Sequence, residues 1–134
     1  MGGRGTGGIP PGLHLVAVPI GAARDITLRA LDVLAGADVL AAEDTRTLRH
    51  LMEIHGLPLN GRPLVAYHDH NEAAVLPRLM AALREGKSVA YAPEAGTPLV
   101  SDPGFGLARA AAAEGIAVVA APGASAVLAA LAVS

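Results

Sequence analysis

Short runs of Val, Leu and Ala alternate along the chain with longer stretches in which apolar side chains recur every three or four positions. The short runs predict buried strands, and the recurring pattern predicts amphipathic helices. Strands are expected at 13–18, 38–42, 64–67, 87–92 and 116–120. Helices are expected at 27–35, 45–55, 71–85 and 103–114, with a last apolar helix over 127–133. This alternation predicts an α/β fold in which a five-stranded, mainly parallel sheet is flanked by helices.

The first residues differ in composition from the rest. Residues 1–12 are rich in Gly and Pro and are expected to form a flexible tail, which leaves 13–134 as one domain. They lack the apolar stretch of a secretory signal, and no apolar run reaches the roughly 18 residues of a membrane span. We therefore expect a cytoplasmic protein without a membrane partner.

The overall composition excludes several kinds of site. Cys is absent, which excludes disulfides, zinc–thiolate centres and cysteine nucleophiles. The formal net charge of −2 argues against a strongly basic nucleic-acid binder. Hydrophobic residues make up 52% of the chain and aromatic residues only 2%, so the core is expected to consist mainly of Ala, Val, Leu and Ile.

The unusual polar clusters all follow predicted strands. In a parallel sheet these positions meet at one edge, where ligands of α/β proteins collect. The clusters are 19–21, 43–46, 68–71, 94–98 and 122–126. We therefore expect a binding site at the carboxyl ends of the strands.

The longest predicted loop, 94–104, contains two Pro and two Gly residues. Such a segment suits a ligand that is held by loop backbone, and simple connections are usually shorter. Asp102 has an equally good reading as the N-cap of the next helix. The chain contains neither G-x-G-x-x-G nor G-x-x-x-x-G-K-[ST], so the common phosphate-binding loops are missing.

Other clusters allow more than one interpretation. His68 and His70 could be metal ligands, but no third ligand stands at a convincing spacing, and we predict no metal site. Glu43 and Asp44 could act as acid and base, although Asp44 is more easily read as the cap of the following helix. Arg46 and Arg49 form either a solvated helix face or a surface for a polyanion.

Five motifs in order resemble the amino-terminal half of the ribosomal RNA small-subunit methyltransferase I family, within the tetrapyrrole methylase superfamily. They are VAVPIGAARDITLRA (16–30), AAEDTR (41–46), YHDHNE (67–72), EAGTPLVSDPG (94–104) and APGASA (121–126). The resemblance implies an S-adenosylmethionine-dependent enzyme that methylates a cytidine ribose 2′-oxygen in 16S rRNA. It also implies the small ribosomal subunit as partner, and we expect a homodimer.

The resemblance further implies roles for particular residues. Residues expected to bind the cofactor are Pro19, Glu94, Ala95, Gly96, Thr97, Val100, Asp102, Ser125 and Ala126. Apart from the resemblance, we hypothesise that a base that takes the hydroxyl proton is Asp25, Glu43 or His68, because all three are predicted at the ligand edge. Residues expected to face the RNA substrate are Arg24, Arg46, Arg49, His70 and Asn71.

This sequence departs from the family pattern in places. Pro93-Glu94 stands where the family usually has Ser-Asp, and Gly21-Ala22-Ala23 replaces Gly-Asn-Leu. The family continues into a second domain, so the chain as given is expected to have little activity alone. Two alternatives remain open: a tetrapyrrole C-methyltransferase of the same superfamily, and a non-catalytic domain that dimerises through the exposed cleft wall.

Overall fold

A computed structural model describes residues 8–18, 26–93 and 103–120 of the chain. Within them, strands and helices alternate in the order that the hydrophobic pattern predicts. The elements are β1 Gly12–Leu15, α1 Leu28–Gly36, β2 Val39–Ala42, α2 Thr45–Ile54, β3 Leu64–Ala66, α3 Glu72–Arg84, β4 Ser88–Ala92, α4 Pro103–Ala113 and β5 Val118–Ala120.

The five strands form one sheet in the order β3-β2-β4-β1-β5, and every neighbouring pair is parallel. The predicted α/β sheet is therefore confirmed, and it is parallel throughout. Ala42, the last residue of β2, lies opposite both Ala66 of β3 and Ala92 of β4. These three strands consequently end together, and we call this side of the sheet the carboxyl edge.

Helices cover both faces of the sheet, because alternate side chains of a strand point to opposite faces. Leu13 and Leu15 of β1 belong to a core cluster that includes buried residues of α3 and α4. Leu40 and Ala42 of β2 belong to a second cluster with buried residues of α1 and α2. The strands are thus buried on both sides, as their nearly continuous apolar runs predict.

The first strand is shorter than predicted and begins one residue earlier. Gly12 donates its N–H to the Lys87 carbonyl oxygen at 3.2 Å and has a φ of 129°. A Cβ at this position would lie 2.7 Å from the Ala117 carbonyl oxygen, so the close approach of the two backbones requires glycine. The last residue of the predicted tail therefore belongs to the sheet, whereas residues 1–7 and the predicted helix over 127–133 lie outside the described residues.

The third and fourth helices run side by side on one face. α3 begins at Glu72 and continues through Pro77, so this proline lies inside the helix. Near the ends of the two helices the Arg84 guanidinium donates hydrogen bonds to both Glu114 carboxylate oxygens, at 2.8 and 2.6 Å. This exposed ion pair joins the helices on the side away from the carboxyl edge.

Candidate functional site

The end of β2 carries two carboxylates with different environments. Glu43 is half-buried, and its N–H donates to the Ala92 carbonyl oxygen at 3.1 Å, which holds it against the end of β4. The Asp44 carboxylate accepts hydrogen bonds from the N–H groups of Arg46 and Thr47 at 3.0 and 3.3 Å. Asp44 is therefore the N-cap of α2, and the reading of this residue as a cap is confirmed.

The cap has an electrostatic consequence. The pKa of Asp44 is lowered chiefly by the hydrogen bond from the Thr47 N–H, with smaller contributions from Arg46. Asp44 is thereby held as a carboxylate at the start of a helix, where negative charge is favourable. A group in this state is poorly suited to act as a general acid, which leaves Glu43 as the candidate for proton transfer at this strand end.

The loop after β3 is held in shape by Asn71. The Asn71 side chain accepts a hydrogen bond from the His68 N–H at 2.8 Å and donates one to the Ala66 carbonyl oxygen at 2.9 Å. Tyr67 extends the strand pairing, because its N–H donates to the Ala42 carbonyl oxygen at 2.9 Å. His68 consequently has a fixed backbone position at the carboxyl edge, where it follows β3 as Glu43 follows the neighbouring strand β2.

The His68 side chain has an unusual polar environment. Its Nδ1 atom is shielded from solvent and makes no hydrogen bond to the rest of the described structure. The His70 ring lies edge-on to it, with 5.9 Å between ring centroids, and His70 itself is exposed. A buried ring nitrogen without a partner is uncommon, and it marks His68 as a group that a bound ligand could satisfy.

The outer face of α2 presents basic side chains. Arg46, Arg49 and His50 are exposed and lie three and four positions apart, so they share one side of the helix. The opposite side of α2 is buried through Leu48 and Met52. The helix begins at the carboxyl edge, so Arg46 is the basic residue of this face that lies closest to the site.

Comparison with known proteins identifies the family of the chain. The model of the tetrapyrrole (corrin/porphyrin) methylases matches residues 12–134. The chain belongs to this family. Among curated relatives, the ribosomal RNA small subunit methyltransferase I of Mesorhizobium japonicum is 53% identical over 94% of this chain. The proteins of the same name from Xylella fastidiosa and Escherichia coli O157:H7 are 48% and 47% identical over 93% and 89% of the chain.

This methylase chain spans only part of the length of those relatives. The matched region covers 42%, 45% and 41% of the three proteins, about two fifths of each. Their names therefore describe the action of longer proteins, and their activity reaches this chain only as a proposal.

Several residues that the sequence singled out in this methylase domain lie outside the described residues. These are Pro19, Arg24, Asp25, Glu94, Ala95, Gly96, Thr97, Val100, Asp102, Ser125 and Ala126. Their expected roles stay predictions. Among the described candidates, Arg46 and Arg49 lie on α2, which begins at the carboxyl edge. The others lie in the connections that follow β2 and β3 at this edge: Glu43, His68, His70 and Asn71.

The metal and membrane expectations concern the same described residues. Over 8–18, 26–93 and 103–120, no group of three or more His, Asp or Glu side chains is placed to hold a metal ion. Within the same ranges, no helix has the length and hydropathy to cross a membrane.

In this methylase domain, no role was predicted from the sequence for Tyr67, Glu72 and Tyr91, which contact one another near the carboxyl edge. The Tyr67 hydroxyl donates to the Glu72 carboxylate at 3.5 Å, and the Tyr91 hydroxyl donates to the Tyr67 carbonyl oxygen at 3.5 Å. The two tyrosine rings are fully buried and pack edge to face, with centroids 5.6 Å apart. The sequence did contain a signal for this cluster, because two of the chain's three aromatic residues, Tyr67 and Tyr91, lie at or near the carboxyl ends of strands.

Proposed function

We propose that the chain is the part of an rRNA methyltransferase that forms one wall of an S-adenosylmethionine site, and that the enzyme methylates a cytidine ribose 2′-oxygen in 16S rRNA. The observation that carries the proposal is that Glu43 and His68 follow neighbouring strands at the carboxyl edge of an all-parallel sheet. The names of the relatives favour RNA over a tetrapyrrole as the methyl acceptor.

The groups at the carboxyl edge fit S-adenosylmethionine. This cofactor supplies a methyl group bonded to a positively charged sulfonium, together with hydroxyl and amino groups that need hydrogen-bond partners. Glu43 places negative charge at the edge, and the unpartnered His68 Nδ1 offers a polar contact. Backbone contacts from Pro19, Ala95, Gly96, Thr97 and Val100 are proposed to hold the cofactor, with Glu94, Asp102, Ser125 and Ala126 as further contacts.

The proposed chemistry requires alignment first and proton removal second. Methyl transfer to a hydroxyl proceeds in line, so the chain must hold the ribose oxygen at a fixed position and exclude water. His68 is the favoured base among His68, Glu43 and Asp25, because a neutral imidazole nitrogen accepts a proton and Asn71 fixes the His68 backbone. Glu43 is the alternative base among the described residues of the same edge.

The proposed RNA surface lies on the outer side of α2 and the loop after β3. Arg46 and Arg49 are assigned to phosphate groups, since phosphate contacts position a nucleic acid without reading its sequence. His70 and Asn71 face the same rim, and Arg24 is assigned by its motif alone. Partnership with the small ribosomal subunit, the homodimer and a cytoplasmic location remain predictions.

The decisive experiment measures transfer of an isotopically labelled methyl group from S-adenosylmethionine to 16S rRNA and to small ribosomal subunits by the full-length protein. We expect label on a cytidine ribose, located by nuclease digestion and mass spectrometry. Substitution His68→Ala should lower kcat by about 10²- to 10⁴-fold, the usual contribution of a general base.

The matched control is His55→Gln, at the C-cap of α2 and away from the carboxyl edge, which should leave kcat within error of the unsubstituted protein. Label on a base instead of a ribose would overturn the assigned acceptor atom. Label on a tetrapyrrole but not on rRNA would establish the alternative C-methyltransferase function.

A further inference from the structure

A set of contacts links the loop of His68 to the fourth helix. Glu72, the first residue of α3, is half-buried, and its carboxylate accepts the Tyr67 hydroxyl at 3.5 Å. Tyr67 is fully buried between its strand and Tyr91, so the phenol that reaches Glu72 has little freedom to move. The carboxylate is therefore directed towards a defined place on the neighbouring helix.

That place is Gly106 in the second turn of α4. A Cβ added at Gly106 would lie 2.8 Å from the Glu72 Oε2 atom, closer than any real Cβ contact. Glycine inside a helix is unfavourable relative to alanine, and Gly106 does not have the positive φ that would justify it. A side chain at this position would therefore require the Glu72 carboxylate to move away from α4.

The carboxylate also lies in a favourable electrostatic position. The first turn of a helix has N–H groups without partners inside the helix and carries partial positive charge. α4 begins at Pro103, directly after the segment 94–102 that is proposed to hold the cofactor. A negative group beside Gly106 thus interacts favourably with the start of α4.

We propose that Glu72 is a positioning residue, which clamps the His68 loop against the first turns of α4 through the space left by Gly106. The inference rests on the proposed function, because the task of the clamp is to align the ribose oxygen near His68 with the methyl group of the cofactor. Small displacements of aligned groups reduce the rate of transfer much more than they reduce ligand binding.

The test uses Gly106→Ala and Glu72→Ala in the full-length protein, with Glu114→Gln as matched control. Glu114 joins the same two helices at their other ends through an exposed pair with Arg84. We expect Gly106→Ala to keep or raise the thermal midpoint, because alanine favours the helix and the flexible end of Glu72 can move aside. Its kcat should nevertheless fall at least about tenfold, with KM for S-adenosylmethionine changed less than about threefold.

A conservative variant separates positioning from simple stability. Glu72→Gln preserves the length of the side chain and the acceptor for the Tyr67 hydroxyl, so it should retain more of kcat than Glu72→Ala. A normal kcat in both Gly106→Ala and Glu72→Ala, in an active enzyme, would overturn the clamp and leave the proposed function standing. Absence of methyl transfer to rRNA by the unsubstituted protein would overturn the proposed function, and the clamp's role in transfer with it.

Discussion

The buried histidine of β1 shows what a single polar residue does inside an apolar sheet. The His14 side chain is 1% exposed, and its Nε2 atom lies 2.9 Å from the Pro10 carbonyl oxygen. Its Nδ1 atom has no hydrogen-bond partner in the described part of the chain. Burial lowers the pKa of His14, and the positive charge of Arg29 acts in the same direction against the hydrogen bond to Pro10. The folded protein therefore favours the neutral imidazole.

This preference predicts a pH-dependent stability. The unfolded chain binds a proton on His14 near pH 6.5, whereas the folded chain resists it to lower pH. The contribution of His14 is thus fully present above pH 6.5 and is lost as the pH falls through the lowered folded-state pKa. Urea unfolding of His14→Gln should show a smaller loss of unfolding free energy between pH 7 and pH 5 than the unsubstituted protein. His50→Gln, on an exposed surface, is the control, and identical pH slopes for His14→Gln and the unsubstituted protein would contradict the prediction.

At the scale of elements, the side chain that precedes a helix caps α1 and α2 but not α3. Thr27 caps α1 by accepting a hydrogen bond from the Ala30 N–H at 3.1 Å, and Asp44 caps α2 through two N–H groups. Asn71 precedes α3 but makes no cap hydrogen bond, since its side chain is engaged with Ala66 and His68. A polar side chain in front of a helix thus either caps the helix or holds the preceding loop, according to the backbone groups within its reach.

The cap at Asp44 gives a prediction for stability. Asp44→Ala removes the acceptor for two N–H groups of α2 and should lower the free energy of unfolding by about 1 kcal/mol. Asp44→Asn keeps a side-chain oxygen and should recover most of that loss. Urea denaturation measures both, with Glu53→Ala in the last turn of α2 as the control for a general effect on the helix. Equal stability of Asp44→Ala and the unsubstituted protein would show that water replaces the cap without penalty.

The elements themselves were largely predictable, because their signal is local. The observed β2 and β4 begin one residue after their predicted starts and end where expected, at Ala42 and Ala92. β1 ends at Leu15 instead of Val18, although the Val16 N–H still donates to the Tyr91 carbonyl oxygen. Local patterns could not reveal where pairing with a neighbouring strand stops, since that depends on residues far away in sequence.

The position of Glu43 and His68 at the carboxyl edge was predictable from the sequence, whereas the contacts of the surrounding side chains were not. The edge of the sheet followed from the alternation of strands and helices, and the positions of Glu43 and His68 at that edge followed with it. The use of Asn71 by its own loop and the approach of Glu72 to Gly106 required the packed structure. Side chains that act through other protein groups give no periodic or compositional signal.

On the scale of the whole molecule, the distribution of charge matters more than its sum. The chain has a formal net charge of −2, which gives no general attraction for RNA. Arg46 and Arg49 are nevertheless exposed together on α2, whereas Arg84 is paired with Glu114 away from the carboxyl edge. Arg46 and Arg49 thus place two positive charges together beside the carboxyl edge, where a polyanion could meet both.

This arrangement predicts how RNA binding responds to salt. Each phosphate contact that is removed should reduce the slope of log K against log salt concentration by roughly 0.7 to 0.9. Arg46→Gln and Arg49→Gln, measured in the full-length protein with 16S rRNA fragments, should each lower the slope by up to about this amount, and the double variant by their sum. Lys87→Gln, whose ammonium lies 3.3 Å from the Glu85 carboxylate before β4, should leave the slope unchanged. Should all variants share one slope, the phosphates must be held by other residues, and the outer face of α2 would be a solvated surface.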